Sequence, residues 1–338
     1  MVIARSAWLV DLVNRYRLDK RYILAFVPLL FLLALSAGCS KSADKGPVER
    51  RLKIVTTLFP LYDFAKQVGG ERSDVSLLLP PGVEPHSFEP KPGDILKLES
   101  ADLFIYTGRE MEPWAQTFLR SVNAEQLVVV DASAGILPEE EKGPYILDHR
   151  ALGATEDRHY RTDIDPHVWL DLTNARKMVD TILRGFVMKD PAHKEYYTRN
   201  AEGYKEKLAQ LDAEYQRVLA TCKKHVIIHG GHFAFNYLAK RYHLVYVSAY
   251  SGSPDAEPTA RRLVALEGQL KKYDVHYIYY EELITPRVAE IIARESGAHM
   301  LKLNGAHNVT REEMARGITF LEIMEQNLTN LKVGLECQ

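Results

Sequence analysis

Four of the 12 histidines lie in surroundings that suit a metal site: His86, His167, His232 and His307. Imidazole nitrogen is a common ligand of Zn²⁺, and four neutral imidazoles match the tetrahedral coordination that this ion prefers. The chain has neither a His-Glu-x-x-His motif nor a Cys-x-x-Cys pair, so a zinc protease or zinc ribbon is not indicated. A single loop histidine is more often a surface or capping residue than a ligand, so a metal site is indicated only by the positions of all four together.

Three of the four, His86, His232 and His307, follow segments that we predict to be strands. Those segments are Val75–Leu79, Val226–His229 and Met300–Leu303. His167 lies in an irregular stretch before a predicted helix. Open α/β sheets bind ligands at the carboxyl ends of their strands. Two of the histidines lie in each half of the chain, so a cleft between two lobes could gather them.

Short apolar runs alternate with helical patterns in both halves, which is typical of βαβ units that build a parallel sheet. The other predicted strands are Leu52–Thr57, Leu103–Thr107, Leu127–Val130, Leu244–Val247 and Val275–Tyr280. The predicted helices are Leu61–Val68, Lys91–Leu98, Met111–Val122, Ala234–Tyr242, Thr259–Lys272, Arg287–Glu295 and Arg311–Asn330.

Between the two alternations lies a much longer helical pattern. Asp190 and Pro191 form a helix start, and one apolar stripe then recurs at steps of four and three residues as far as Cys222. Such a helix would be about 45 Å long, longer than a small lobe is wide. The sequence thus predicts an α/β fold of two lobes, each a parallel-type sheet flanked by helices, joined by one long rigid backbone helix. The expected boundaries are 52–189, 190–222 and 223–338. A long helix confined to one domain is the alternative.

The N-terminus resembles an export signal. Lys20 and Arg21 precede the apolar run Tyr22–Leu35, and small residues then lead to Cys39. This ending resembles a bacterial lipobox, although Ser36 stands where Leu is commonest. We predict a signal peptide over 1–38, lipidation of Cys39 and a polar tether over 39–51. A plain membrane anchor without lipidation is the alternative.

Composition narrows the class of protein. The chain has 338 residues, 46% of them hydrophobic, and a formal net charge of −2. A packed core is therefore expected, and the charge gives no basic field for nucleic acid. Beyond Cys39, only Cys222 and Cys337 remain. They could pair in an oxidising compartment, but the sequence leaves this open.

Five segments occur in one order along the chain. They are Pro-Pro-Gly-Val-Glu-Pro-His-Ser-Phe-Glu-Pro, Asp-Pro-His-Val-Trp-Leu-Asp, His-Phe-Ala-Phe-Asn-Tyr-Leu-Ala-Lys-Arg-Tyr, Glu257-Pro258-Thr259 and Tyr280-Glu281-Glu282-Leu283. In this order they resemble the metal-specific solute-binding proteins of zinc and manganese ABC transporters, and the resemblance covers Leu52 to Leu331. It implies one metal between two lobes that a rigid helix joins.

The resemblance assigns three ligands to His86, His167 and His232, and nitrogen at the third position favours zinc over manganese. The family's fourth ligand is usually an Asp or Glu just after the last strand of the second lobe. Here Asn304 stands where Asp is common, and His307 follows three residues later. We expect His307 to be the fourth ligand, with Glu281 or water as the alternatives.

Other polar residues near these segments have expected supporting roles. Glu84 and Asp165 flank ligand histidines, and either could accept the second imidazole proton. His149 and His159 lie in a polar stretch that we interpret as a solvated insertion. His229 is interpreted as a strand-end residue that does not bind the metal.

The resemblance implies a binding protein and not an enzyme. It would hold one Zn²⁺ outside the cytoplasm and deliver it to an ABC permease driven by an ATPase. We expect a monomer that is attached through Cys39 to the periplasmic or cell-surface face of the membrane, with no nucleic-acid partner. A manganese carrier or an adhesin on the same fold is the alternative, and a zinc hydrolase with Glu281 as its base is a further one.

Overall fold

The N-terminal half folds into a four-stranded parallel sheet with the order β2-β1-β3-β4. The computed structural model describes residues 50–123, 125–140, 164–249, 259–283 and 285–338. The strands are β1 Leu52–Thr56, β2 Ser73–Leu77, β3 Leu103–Tyr106 and β4 Val128–Asp131. The helices around them are α1 Phe59–Gly69, α2 Pro92–Glu99, α3 Ala115–Leu119 and α4 Leu172–Lys189. All four residues of β3 are buried, as expected for a parallel strand that is covered on both faces.

The C-terminal half forms a second four-stranded parallel sheet with the order β10-β9-β7-β8. Its strands are β7 Val226–His229, β8 Val245–Ser248, β9 Tyr277–Tyr280 and β10 His299–Lys302. Its helices are α6 Asn236–Arg241, α7 Ala260–Tyr273, α8 Arg287–Ser296, α9 Arg311–Arg316 and α10 Phe320–Gly334. Because the strands of each sheet are parallel, the loops that follow them lie along one edge.

The predicted long helix is present as α5, Lys194–Leu219, a helix of 26 residues preceded by the 3₁₀ turn Pro191–His193. At 1.5 Å per residue α5 is about 39 Å long, and Cys222 lies beyond its end. The Tyr204 hydroxyl donates to Asp63 in α1, and the Tyr215 hydroxyl donates to the Met324 carbonyl in α10. The helix therefore contacts both halves, and the predicted two-lobe fold is confirmed. The boundaries at 189 and 222 stay predictions.

One hydrophobic cluster continues from the N-terminal sheet along α5 to α10. It contains buried residues as far apart in sequence as Ile54, Tyr215 and Leu331. A second cluster fills the space between β7, β9, α7 and α8, and a third lies beside β3. Arg50–Gln338 forms one compact unit, and Met1–Glu49 lies outside the described residues. No helix in the described ranges is long and apolar enough to cross a membrane.

Three details differ from expectation or answer a question that the sequence left open. The predicted helix Arg311–Asn330 is two helices, because Gly317 between them adopts a positive φ of 77° that ends α9. The predicted helix Met111–Val122 is shorter and forms only α3. Cys222 and Cys337 form a disulfide across 115 residues of sequence.

A short antiparallel pair flanks the insertion in the N-terminal half. It consists of β5 Glu139–Glu140 and β6 Ile164–Asp165. The predicted insertion with His149 and His159 lies between them, outside the described residues, and so do Glu257 and Pro258 of the fourth sequence motif.

Candidate metal centre

The structure brings His86, His167, His232 and His307 together. One ring nitrogen from each lies within 4.8 Å of the corresponding nitrogens of the other three. His86 lies between β2 and α2, His167 two residues after the end of β6, His232 between β7 and α6, and His307 between β10 and α9. The last three are buried, and His86 is partly exposed. Loops from both halves of the chain thus form one cluster, as the sequence predicted.

The spacing of the nitrogens suits a small tetrahedral ion. The Nε2 atom of His167 lies 3.3 Å from Nε2 of His86 and 3.4 Å from Nε2 of His232. A tetrahedron with Zn–N distances of 2.0–2.1 Å has edges of about 3.3–3.4 Å. The Nε2 atom of His307 is buried and has no hydrogen-bond partner among the described residues. The cluster therefore leaves a nitrogen lone pair in position for a metal.

In three of the four imidazoles, Nδ1 is hydrogen-bonded to a carboxylate. Nδ1 of His167 donates to Asp165 at 2.6 Å, and Nδ1 of His307 donates to Glu282 at 3.1 Å. Nδ1 of His232 donates to Glu281. These bonds fix the tautomer so that each Nε2 carries the lone pair that a metal needs. Asp165 and Glu281 thus each orient one of the candidate ligands, and Glu281 lies outside the group of four histidines.

The two glutamates reach the site because of the strand order. β9 lies between β7 and β10, so residues at its carboxyl end can contact the loops after both neighbours. The Glu281 carboxylate accepts hydrogen bonds from Nδ1 of His232 and from its backbone NH, the latter at 3.0 Å. The Glu282 carboxylate accepts a hydrogen bond from Nδ1 of His307. Sequence reasoning missed the role of Glu282, although it stands in one of the recognised motifs. Its position beside Glu281 was the only signal.

Two glycines allow these close approaches. A Cβ at Gly231 would lie 2.1 Å from the Glu281 carboxylate, and a Cβ at Gly305 would lie 2.4 Å from the His307 ring. Neither space can hold another side chain without moving a candidate ligand or the carboxylate that orients one. The geometry of the histidine cluster therefore requires glycine at both positions.

The imidazoles differ in the direction in which their pKa values are shifted. Burial, reinforced by the neighbouring histidines, holds the pKa of His86 and of His167 well below the ordinary value of 6.5. Burial alone would also lower the pKa of His232, but the charge and hydrogen bond of Glu281 outweigh it and raise this pKa. Burial would raise the pKa of Glu281, yet His232 lowers it to about 2. Without metal, a proton is therefore held more strongly by His232 than by His86 or His167.

The side chains of Glu84 and Asn304 hydrogen-bond to backbone groups near the rings. The Glu84 carboxylate accepts the backbone NH groups of His86 and Ser87 and so shapes the loop. The Asn304 side-chain oxygen accepts the Ala306 NH at 2.8 Å, and its backbone is bonded to Asn327. Of the two carboxylates considered as acceptors of an imidazole proton, Asp165 bonds to a ring and Glu84 bonds to backbone NH groups. Asn304 shapes the turn before His307.

Neighbouring residues complete the walls. The Trp169 indole donates to the Gly305 carbonyl at 2.8 Å, and its ring centroid lies 5.3 Å from that of His307. His229 is buried outside the cluster, and its Nδ1 accepts the Gly231 NH. It therefore belongs to the strand end, as expected. Phe88 packs edge-on against Trp114, and Phe233 packs against Tyr246 with the two rings tilted by 43°.

Residues 54–334 match the family described as zinc-uptake complex component A, periplasmic (ZnuA). The chain belongs to this family. The sequence resemblance is thereby confirmed. Members of the ZnuA family are components of an uptake complex, so the chain is a binding protein and not an enzyme.

Individual relatives agree with this assignment. The chain is 39% identical over 314 residues to the high-affinity zinc uptake system protein ZnuA of Bacillus subtilis, covering 90% of this chain and 97% of that protein. It is 37% identical over 314 residues to the zinc-binding lipoprotein AdcA of Streptococcus pneumoniae, covering 92% of this chain but 60% of AdcA.

A solved structure gives the same result. The Zn(II)-bound ZnuA-like domain of Streptococcus pneumoniae AdcA superposes with a TM-score of 0.70 at 34% identity, covering 85% of this chain and 99% of that domain. Its two-lobed fold is therefore shared by the chain.

Proposed function

We propose that this chain captures Zn²⁺ outside the cytoplasm through His86, His167, His232 and His307, and delivers it to an ABC transporter for uptake. The observation that carries the proposal is the convergence of four imidazole nitrogens within 4.8 Å. Imidazole suits Zn²⁺, whereas Mn²⁺ prefers oxygen ligands and lies lower in the affinity order. One cluster of four histidines in the part of the chain that the structure describes predicts one ion per chain.

Charge supports the capture of a divalent cation. Four neutral imidazoles leave the +2 charge of the ion uncompensated, and the buried carboxylates Asp165, Glu281 and Glu282 lie directly behind three of them. In a buried site of low dielectric such charges act strongly on an ion. Both oxygens of Glu281 accept from His232, so this carboxylate is engaged in orienting a ligand and does not serve as the base of a hydrolase.

Calorimetry on the full chain with Zn²⁺ and Mn²⁺ tests the proposal. We expect one Zn²⁺ per chain, bound more tightly than Mn²⁺. At free zinc 1,000 times the dissociation constant, the folded state should gain about 4 kcal/mol and melt at a higher temperature. The His225→Ala variant, which changes an exposed histidine outside the cluster, should behave like the original chain. Tighter binding of Mn²⁺, or no thermal shift with zinc, would contradict the proposal.

We further propose that Cys39 is the lipidated N-terminus of the exported protein. The Ala-Gly-Cys ending of the apolar run supports this, and so does the name of the relative AdcA as a lipoprotein. Cys39 itself lies outside the described residues. Replacing Cys39 with Ala should release the protein from the membrane or block its processing. Mass spectrometry that finds an intact Met1 on the mature protein would refute lipidation.

The transporter partner is proposed on family grounds. A periplasmic component of a zinc-uptake complex works with a permease and an ATPase. We propose that this chain acts as a monomer in that complex. A strain without the chain should lose zinc uptake at low external zinc, and the His307→Ala variant should fail to restore it. Normal uptake with that variant would contradict the assigned route.

A further inference from the structure

Asn308 joins the loop that carries His307 to the loop that carries His86. Its side chain is fully buried. Its Nδ2 group donates to the Pro80 carbonyl at 2.8 Å and to the Val83 carbonyl at 2.9 Å. Both hydrogens of this amide are therefore donated to the loop that carries His86, although Asn308 lies more than 200 positions away in sequence.

The His86 loop, which we define as Leu79–Pro90, has few other attachments. Among the described residues, its hydrogen bonds to atoms outside the loop reach Asn308, Val309 and the ring of His167. The bond to Val309 runs from the Gly82 NH to the Val309 carbonyl at 2.8 Å. The contacts of Glu84 stay inside the loop. Apolar packing also holds it, because Leu79 is buried in the main hydrophobic cluster and Phe88 packs on Trp114.

His86 depends on this loop more than the other ligands depend on theirs. Within the described ranges, no carboxylate bonds to its ring, and it is the one histidine of the cluster that is partly exposed. Its ring position is therefore set by the loop backbone. The backbone carbonyls that Asn308 holds lie six and three residues before His86.

We propose that Asn308 is a positioning residue that keeps zinc bound by holding the His86 loop against the His307 loop. The inference rests on the proposed role of His86 and His307 as ligands. If the amide is lost, the loop samples positions in which His86 has left the metal, and the ion is then held by three ligands. The effect should fall on dissociation, because the capture of zinc by the three oriented imidazoles does not require the closed loop.

The test is the rate of zinc dissociation from the full chain, measured by rapid mixing with a chelator. Tryptophan fluorescence can report it, because the Trp169 ring lies against His167 and His307. Asn308→Asp retains an oxygen to accept the Val309 NH but places a carboxylate oxygen against two carbonyls. We expect dissociation about tenfold faster, from the loss of two hydrogen bonds. Asn308→Ser, which retains one donor, should lie between this variant and the original chain.

Asn200→Asp is a matched control, because the Asn200 amide also donates to a distant carbonyl, that of Val68, away from the metal. Its dissociation rate should stay within about twofold of the original. A purely structural role for Asn308 would lower the melting temperature and leave the rate unchanged. Unchanged rates in the Asp or, if that variant does not fold, the Ser variant would overturn the proposal. If the original chain binds no zinc, the proposed function fails instead.

Discussion

The His86 loop positions its imidazole differently from the three loops that carry His167, His232 and His307. Each of the three has a carboxylate on Nδ1 of its imidazole. The His86 ring has none among the described residues, and its loop is held through Asn308 and Val309. A carboxylate fixes the ring and its tautomer directly, whereas a bonded loop fixes only the backbone that bears the ring. The cluster thus contains three oriented ligands and one whose place depends on contact between the two halves.

The largest effect should follow from deleting a ligand, whether it is His86 or one of the three histidines that a carboxylate orients. His307→Ala and His86→Ala should each weaken zinc binding by more than about a hundredfold, beyond the range for residues that only orient ligands. Competition with a chelator of known affinity measures both. If His307→Ala binds zinc like the original chain while Asn304→Ala or Glu281→Ala loses it, the fourth ligand has been assigned wrongly.

The carboxylates should give the next largest effect and distinguish the two kinds of loop. Glu281→Gln and Glu282→Gln should each cost about 10- to 100-fold in zinc affinity, because the ligand loses a charged partner. Glu84→Gln is the matched change in the His86 loop, where the carboxylate bonds only backbone and the Ser87 hydroxyl. It should cost less than either. An equal or larger loss at Glu84 would remove the distinction.

Acid should weaken zinc binding through protonation of His232. His232 has a raised pKa, so its proton must leave before zinc binds, and affinity should fall by up to about tenfold per pH unit below that pKa. His86 and His167 have lowered pKa values and stay neutral over the same range. The fall should therefore begin above pH 6.5, and zinc titrations at a series of pH values measure it. A fall that begins only well below pH 6.5 would contradict this division.

The disulfide should affect zinc affinity least. Cys337→Ser opens a cross-link spanning 115 residues, which should lower the free energy of unfolding by about 3 kcal/mol. Neither cysteine contacts the histidine cluster, so zinc affinity should stay within about twofold. Denaturant unfolding of the metal-free protein and a zinc titration measure the two quantities. A large loss of affinity would mean that the disulfide also holds the site.

Much of this protein could be derived from its sequence, because the signals are local. Apolar runs and turn residues marked the eight strands of the two sheets to within two residues, and one stripe marked α5. His86, His232 and His307 stood out because each follows a strand, and strand ends in parallel sheets share an edge. The order of the motifs then indicated the family, and with it the assignment of His86, His167 and His232 as ligands.

The tertiary structure decided what depends on neighbours distant in sequence. Glu282 serves His307 only because β9 lies between β7 and β10, and sequence does not state strand order. Asn304 resembled a candidate ligand by position, yet its oxygen is used by the Ala306 NH. Cys222 and Cys337 pair across the fold, and Asn308 reaches Pro80 and Val83. The contacts of Glu282, of the two cysteines and of Asn308 join segments that are distant in the sequence, so only the packed fold brings them within hydrogen-bond or disulfide distance.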